Sequence, residues 1–220
     1  MADIFQESIR RRPKKVLLIA VPLVICVSLP LGILFFTLLQ ETGRPSWLEL
    51  GSYMKYEQFY VWNGHNGTVY MIWNVTKLND HSADLHLISH GVNVTDGNVE
   101  PTLGDFNFTI NVATRETINC SDISYIGEKW PFWIETGVGL GFTIDILYGI
   151  NTISGSEQIQ VLGQQRDCWV VQYDWTFDSM TRWYDKSSGI VLKIRVVLYR
   201  QGFTIVITET AVQTNVDLNA

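Results

Sequence analysis

A run of twenty-four residues without a charged side chain, Val16–Leu39, constrains this chain more than any other feature. As an α-helix it would extend about 36 Å, which is enough to cross a hydrocarbon core of about 30 Å. The basic cluster Arg10–Lys15 precedes it directly, and such clusters stay on the cytoplasmic side of a membrane. We therefore predict a cytoplasmic tail (residues 1–15), a signal-anchor helix that contacts the lipid bilayer (16–39) and an extracellular domain (40–220).

A cleaved signal peptide is the alternative interpretation of the same run. Such peptides have an apolar stretch of about 7–15 residues, followed by a cleavage site with small residues. The run in this chain is longer, and it ends in Phe35–Gln40 without an Ala-x-Ala site. These two differences favour an anchor that stays attached, with the N-terminus in the cytoplasm and the C-terminal domain outside the cell.

The composition of residues 40–220 excludes one class of partner. This part has 11 Lys and Arg residues against 20 Asp and Glu residues, which gives a formal net charge of −9. Contact with nucleic-acid phosphates needs clustered positive charge, so we expect no nucleic-acid partner. A length of about 180 residues fits a single domain that can bury a hydrophobic core.

Two cysteines follow the apolar run, Cys120 and Cys168. In an oxidising compartment an isolated pair of this kind predicts a disulfide bond. Free thiols and metal-bound thiols are the alternatives, although two cysteines without CxxC spacing are a weak indication of a metal site.

Five Asn-x-Ser/Thr sequons support an extracellular location for the domain. Their asparagines are Asn66, Asn74, Asn93, Asn107 and Asn119. Glycans are bulky and must face solvent, so each sequon also predicts a surface position. Asn119 is next to Cys120, and a disulfide there would hinder addition of the glycan.

The pattern of the domain is that of β-strands almost throughout. In Thr68–Lys77 and in Phe106–Val112 apolar side chains alternate with polar ones, and the sequon asparagines fall on the polar face. The other predicted strands are Tyr53–Trp62, Ala83–Ser89, Gln158–Leu162, Cys168–Phe177, Met180–Tyr184, Ile190–Tyr199 and Phe203–Val212. The fold class is therefore mainly β: one antiparallel sheet, arranged as a curved sheet, a half-barrel or a sandwich, with room for one central helix.

The middle of the domain, residues 128–155, allows two interpretations. Glu128–Glu135 is rich in aromatic residues and fits either a helix or a loop. Phe142–Ile153 is an apolar run with one acid, and it fits either a buried helix or a core strand because periodicity alone does not separate them.

Catalytic and metal-binding patterns are weak in this sequence. His86 and His90 would lie about 13 Å apart on the predicted strand, which is too far for two ligands of one zinc ion, so these two and His81 are interpreted as surface residues. The glycines at Gly137-x-Gly-x-Gly141 lack the spacing of a nucleotide-binding loop. We expect no enzymatic activity, no catalytic residue, no metal ligand and no cofactor.

Aromatic side chains are the more suggestive feature. Two sets share strand faces, and the six residues are Tyr56, Tyr60 and Trp62, then Trp169, Tyr173 and Trp175. A sheet core explains them, since aromatic residues favour strands. The alternative is a concave surface that holds an apolar ligand or a lipid tail.

Three segments carry a resemblance to known proteins. Trp47-x-x-x-Gly51-x-Tyr53-x-x-Tyr56 resembles the first strand of uncharacterised archaeal membrane-anchored surface proteins, and Asp167–Val171 with Trp183–Lys193 resembles their C-terminal hairpins. Trp183–Lys193 is also similar to the W-x-D-x-x-T/S-G-x-x-x-K hairpin of LolA/LppX-like lipoprotein-carrier folds. That second resemblance implies a curved antiparallel sheet around a helical plug that holds acyl chains.

These observations lead to one functional expectation and two alternatives. The expectation is a non-catalytic cell-surface binding or interaction domain whose partner is a surface protein, a glycan or a lipid. The first alternative is a carrier of lipids or other apolar ligands, and the second is a surface hydrolase.

Overall fold

The computed structural model describes residues 44–219, apart from residues 63, 96–97, 147–148, 175–177 and 201–202. For residues 91–95, 98–102 and 200 it describes the backbone alone. The chain divides into one unit of residues 1–42 and another of residues 43–220. The predicted cytoplasmic tail and signal-anchor helix therefore lie outside the described residues. Within the described ranges no helix combines the length and apolar character needed to span a bilayer.

In the described part of the chain, strands account for nearly all regular structure. They are β1 (Tyr53–Trp62), β2 (His65–Leu78), β3 (Ser82–Thr95), β4 (Asn98–Asn111), β5 (Thr117–Cys120), β6 (Thr143–Ile146), β7 (Gly149–Val161), β8 (Gln164–Asp174), β9 (Asp178–Asp185), β10 (Val191–Arg200) and β11 (Phe203–Thr214). A short 3-10 helix, Ile123–Tyr125, follows β5. The predicted mainly β class is confirmed.

All eleven strands belong to one antiparallel sheet with the order β5-β4-β3-β2-β1-β11-β10-β9-β8-β7-β6. The first five strands form one meander, the last six form another, and β1 pairs with β11 where the two meet. Because β5 and β6 lie at opposite edges, the chain between them must cross the sheet. We call residues 121–142 the crossing segment.

Burial alternates along the strands as the sequence predicts. In β2, Met71, Trp73 and Val75 are buried, whereas Tyr70 and Thr76 on the opposite face are exposed. In β4, Phe108 and Ile110 are likewise buried. We call the face that carries Trp73, Phe108 and Ile110 the inner face of the sheet.

The sheet curls strongly towards its inner face. β7 and β11 are four positions apart in the strand order, which would separate them by about 19 Å in a flat sheet. Their Cα atoms nevertheless approach within 8 Å. Register shifts in β1, β7 and β10 supply local twist, because a bulge bends the strand that contains it.

The crossing segment is an aromatic loop packed on the inner face. Trp130, Phe132, Trp133 and Ile134 are buried in it, and Trp133 forms an isolated β-bridge with Ile190. For Glu128–Glu135 the loop interpretation is confirmed, and the helix is not found there. The backbone N–H and C=O groups of this loop bond to neighbouring loops and strands, which removes the need for a helix to satisfy them. For Phe142–Ile153 the strand interpretation is confirmed, because this run contains β6 and the start of β7.

Aromatic side chains fill the centre of the core. The indole ring of Trp133 lies with its centroid 5.4 Å from that of Trp47 and 6.1 Å from those of Trp73 and Trp130. Offset and edge-on contacts of this kind add to the free energy of burial. The core thus joins the start of the domain, the sheet and the crossing segment.

Candidate functional site

A cavity of about 220 Å³ opens on the inner face, beside the crossing segment. Protein cores contain few voids larger than a water molecule, which needs about 15 Å³ measured in this way. The cavity therefore offers roughly fifteen times the space that one water molecule needs. Concave and mostly apolar spaces are where small molecules bind.

Its walls come from both meanders and from the crossing segment. The apolar residues that line it are Met71, Leu87, Phe106, Phe108, Trp130, Pro131, Phe132, Met180, Ile194 and Val196. The polar residues are Thr117, Tyr125, Glu128, Lys129, Arg182 and Glu209. Ten of these sixteen lining residues are apolar, so an apolar chain can contact most of the wall.

Arg115 fixes the crossing segment at the edge of the cavity. It has a left-handed backbone with φ of 62°, and its guanidinium donates to the carbonyl oxygens of Trp130, Trp133 and Asp145 at 3.1 to 3.2 Å. Burial lowers the pKa of Arg115, and the phenol of Tyr184 and nearby acids oppose that shift. One side chain thereby holds the backbone next to Trp130, which lines the cavity.

The turn between β9 and β10 fixes the other end of the segment. Gly189 has φ of +74°, and a Cβ at this position would overlap the carbonyl oxygen of Ile134. The amide of Val191 donates to Phe132 O at 2.9 Å, and the hydroxyl of Tyr184 donates to Pro131 O at 2.8 Å. Phe132 and Pro131 are therefore held in the cavity wall by their own backbone.

Three polar side chains and one isoleucine occupy paired positions on four neighbouring strands at the floor of the cavity. Arg182 in β9 pairs with Ile194 in β10, Ile194 pairs with Glu209 in β11, and Glu209 pairs with Gln58 in β1. Paired residues share a face of an antiparallel sheet, so these side chains all point inwards. Gln58 Nε2 donates to Glu209 Oε1 at 3.0 Å.

Burial shifts the pKa values of two side chains at the floor of the cavity. Burial raises the pKa of Glu209 to about 7, and the charge of Arg182 opposes this only in part. Burial also raises the pKa of the Tyr184 phenol, again against the influence of Arg182. At neutral pH the carboxyl group of Glu209 is therefore protonated in a large share of the molecules.

The first predicted aromatic set has structural contacts. Tyr56 is fully buried, and its hydroxyl donates to Val191 O at 2.8 Å. The ring of Tyr60 covers Gly67 on the paired strand, where a Cβ would overlap it. Trp62 stacks on His65 with ring centroids 5.5 Å apart.

The second set lies on β8. Trp169 has the ammonium of Lys186 4.2 Å from its ring centroid, and Tyr173 pairs with Met180, whereas Trp175 lies outside the described residues. None of the five described aromatics belongs to the wall of the cavity. Their role as a ligand surface stays a prediction.

The predicted disulfide between Cys120 and Cys168 is wrong, because both are free thiols. Cys120 is in β5 and Cys168 is in β8, which are eight positions apart in the strand order. Cys120 pairs with inward-facing Phe108, whereas Cys168 pairs with Asp185 on the opposite face. A disulfide needs Cα atoms about 4.4–6.8 Å apart.

Asn74 and Asn107 occupy strands as predicted, whereas Asn66, Asn93 and Asn119 lie in strands beyond the predicted bounds. Glycosylation of the five sequons stays a prediction. Asn66, Asn107 and Asn119 are exposed, and Asn74 is half-buried on the face opposite Trp73. Asn93 pairs with Glu100 in the β3–β4 hairpin, where only the backbone is described.

The histidines also lie where the sequence places them. His86 and His90 are both in β3, and His86 Nε2 lies 2.7 Å from Asp105 Oδ1 at the surface. Among the side chains that the structure describes, no three His, Cys, Asp or Glu residues cluster in a way that fits a metal ion.

Sequence reasoning missed the cavity and its floor. The available signal was a polar residue at an inward position of a predicted strand: Arg182 shares a face with Met180 and Tyr184, and Glu209 shares one with Ile207. The sequence held no comparable signal that the crossing segment would line the cavity, because the position of this segment depends on the order of the strands.

Comparison with known proteins gives distant structural neighbours only. No family model matches the chain, and no curated protein matches it. Among solved structures, it is similar to the hypothetical lipoprotein YmcC from Escherichia coli K12, with 11% identity, a TM-score of 0.29 and coverage of 72% of this chain and 87% of that one. It is also similar to a DUF1329 family protein from Desulfovibrio piger, with 12% identity, a TM-score of 0.24 and coverage of 77% and 86%. These scores are too low to transfer a function.

Proposed function

We propose that the domain is a non-catalytic binding domain whose cavity holds an apolar or amphipathic small molecule, such as a lipid chain. The observation that carries this proposal is the cavity of about 220 Å³ with a mainly apolar wall. This combines the expected binding domain with the first alternative, the carrier of apolar ligands.

The shape of the wall supports the proposal. Phe106 and Phe108 in β4, Met180 in β9 and Val196 in β10 line the cavity, and the crossing segment supplies Trp130 and Phe132. Burying a CH₂ group in such surroundings contributes about 0.8 kcal/mol. A chain of several carbons would therefore bind with useful affinity without any specific polar contact.

The location of the domain is a second part of the proposal, and it rests on the sequence. We propose that residues 16–39 anchor the chain in a membrane and that the domain lies outside the cell, because of the uncharged run and the five sequons. Treating intact cells with protease tests it: the domain should be degraded, and protection of the domain would contradict the proposed topology.

Photolabelling tests the binding proposal. The full-length chain in lipid nanodiscs is incubated with dodecanol that carries a diazirine, and labelled peptides are identified by mass spectrometry after illumination. We expect the label in the peptides that contain Met180, Val196 or Phe106. Label spread evenly over exposed apolar residues would contradict the proposal.

A matched pair of variants makes the test specific. Val196→Trp places a large ring in the cavity and should remove labelling of its wall. Val61→Trp makes the same change on the opposite face of β1, where the side chain is 41% exposed, and should leave labelling unchanged. Met180→Trp provides a second filled cavity from another strand if Val196→Trp fails to fold.

A further inference from the structure

We propose that the molecule bound in the cavity carries a compact anionic head group, which Arg182 on the cavity floor recognises. This inference rests on the proposed function and adds the chemical class of the ligand: a single apolar chain that ends in a carboxylate or a phosphate monoester.

Arg182 carries a buried charge in the wall of the cavity. Arg182 is only 7% exposed and lines the cavity. Its Nε atom has no hydrogen-bond partner among the described residues. The ion pairs found within the described ranges do not include it, so no described carboxylate lies within 4.0 Å of its guanidinium. A buried charge without an ionic partner is costly, and an anion that enters the cavity would offset that cost.

Two other polar side chains, Tyr184 and Glu209, lie on the same face as the guanidinium. Tyr184, two residues further along β9, accepts a side-chain hydrogen bond from the guanidinium of Arg182, and its own hydroxyl donates to Pro131 O. The neutral phenol does not balance the charge of Arg182. Glu209 lies on the far side of Ile194 and bonds to Gln58, and its burial favours the neutral carboxylic acid. The floor therefore presents a positive guanidinium together with a carboxyl group that can donate a proton in a hydrogen bond.

The floor of the cavity matches an anionic head group in charge and in hydrogen-bonding geometry. A guanidinium forms two parallel hydrogen bonds with a carboxylate or a phosphate, which a hydroxyl or an amine cannot reproduce. A cationic head group would be repelled by the same charge. The apolar wall from Ile194 to Val196 and Phe106 then receives the chain, so that head and tail both find complementary surroundings.

The experiment compares three photoreactive probes of equal chain length on the full-length chain in lipid nanodiscs: dodecanoic acid, dodecyl phosphate and dodecanol. We expect at least one anionic probe to label the cavity peptides about tenfold more strongly than the alcohol does. The stronger of the two anionic probes identifies the preferred head group.

Two variants distinguish the effect of Arg182 from the effect of the net charge of the domain. Arg182→Met should reduce the ratio of anionic to neutral labelling to about one, relative to the same probes on the parent chain. Arg195→Met removes an equal charge from the opposite face of β10, where the side chain is exposed, and should leave the ratio unchanged. Arg182→Lys keeps the positive charge and should retain part of the preference, and it replaces Arg182→Met if that variant does not fold.

The outcomes distinguish the two proposals. If dodecanol labels the cavity and neither anionic probe does better, the anionic head group is wrong while the apolar binding site stands. If no probe labels the cavity peptides, the proposed function itself is wrong. A preference that persists in Arg182→Met would also overturn the role of this arginine.

Discussion

The amide nitrogen of Ile134 donates a hydrogen bond of 2.9 Å to the carbonyl oxygen of Gly189. This bond joins the crossing segment to the turn between β9 and β10, next to the bridge between Trp133 and Ile190. The close approach is possible because Gly189 has no Cβ, which would otherwise overlap Ile134 O. One wall of the cavity therefore depends on a glycine that does not line it.

Gly189→Ala should lower the free energy of unfolding by about 3 kcal/mol, since it adds both backbone strain and steric overlap. Gly163→Ala is the matched control, because Gly163 also has φ of +74° but no atom within 4 Å of a Cβ. Its loss should be about 1 kcal/mol, from strain alone. Urea unfolding measures both, and equal losses would show that the contact with Ile134 contributes nothing.

The sequence motifs that carry the family resemblance turn out to shape the core and the turns. In the hairpin pattern, Asp185 accepts hydrogen bonds from Ser187 and Ser188, Gly189 admits the crossing segment, and Lys193 Nζ lies 4.9 Å from the Trp183 ring centroid. In the first pattern, Trp47 Nε1 donates to Ser188 O at 2.7 Å. These roles follow from turn chemistry and burial, which is why short-range patterns could predict the hairpins.

The order of the strands in the sheet could not be predicted from the sequence. Alternation gave β1 its bounds, Tyr53–Trp62, and the inward faces of β2 and β4, because those depend on neighbouring residues. That β1 pairs with β11, and that residues 121–142 cross the sheet, depends on strand order. The disulfide prediction was wrong for the same reason, because two cysteines and an oxidising location give no information about the distance between the two thiols.

Thiol reactivity should differ sharply between the two cysteines of the domain. Burial raises the pKa of Cys168 to about 12, with nearby Asp185 adding to the shift, and its side chain has no exposed surface. Because the thiolate is the reactive form, Cys168 should resist modification at pH 8, whereas half-buried Cys120 should react. In a Cys26→Ser background, Ellman's reagent should titrate one thiol in the folded chain and two in denaturant. A peptide that links Cys120 to Cys168 in a non-reducing digest would contradict this.

Asp185→Asn should be one of the most destabilising single substitutions in the domain. Asp185 and Arg166 form an ion pair of 3.1 Å with both side chains buried, and Arg166 also donates to Leu218 O. Removing one partner of a buried pair costs about 3–5 kcal/mol because the other charge is left uncompensated.

Exposed Asp167 is the control for that substitution, since Asp167→Asn makes the same change in β8 and should cost less than about 0.5 kcal/mol. The double variant Arg166→Met/Asp185→Asn should lose less stability than the two single variants added together. Additive losses in thermal or urea unfolding would mean that the pair does not interact.

Glu209 should make the stability of the domain depend on pH. Burial raises the pKa of its carboxyl group from 4.5 to about 7, so the folded state binds this proton more tightly than the unfolded state does. The stabilisation from Glu209 is then fully present below about pH 4.5 and is lost as the pH rises towards 7. A difference of this size between folded and unfolded states corresponds to about 3 kcal/mol at most.

Glu209→Gln removes this titration while the introduced amide oxygen can still accept the hydrogen bond from Gln58. The variant should therefore unfold at higher urea than the parent chain at pH 8, and the advantage should shrink towards zero near pH 4.5. Glu57→Gln, at an exposed position of β1, controls for the change in net charge. A constant difference between Glu209→Gln and the parent chain across this range would mean that the carboxyl group of Glu209 is solvated like a surface acid.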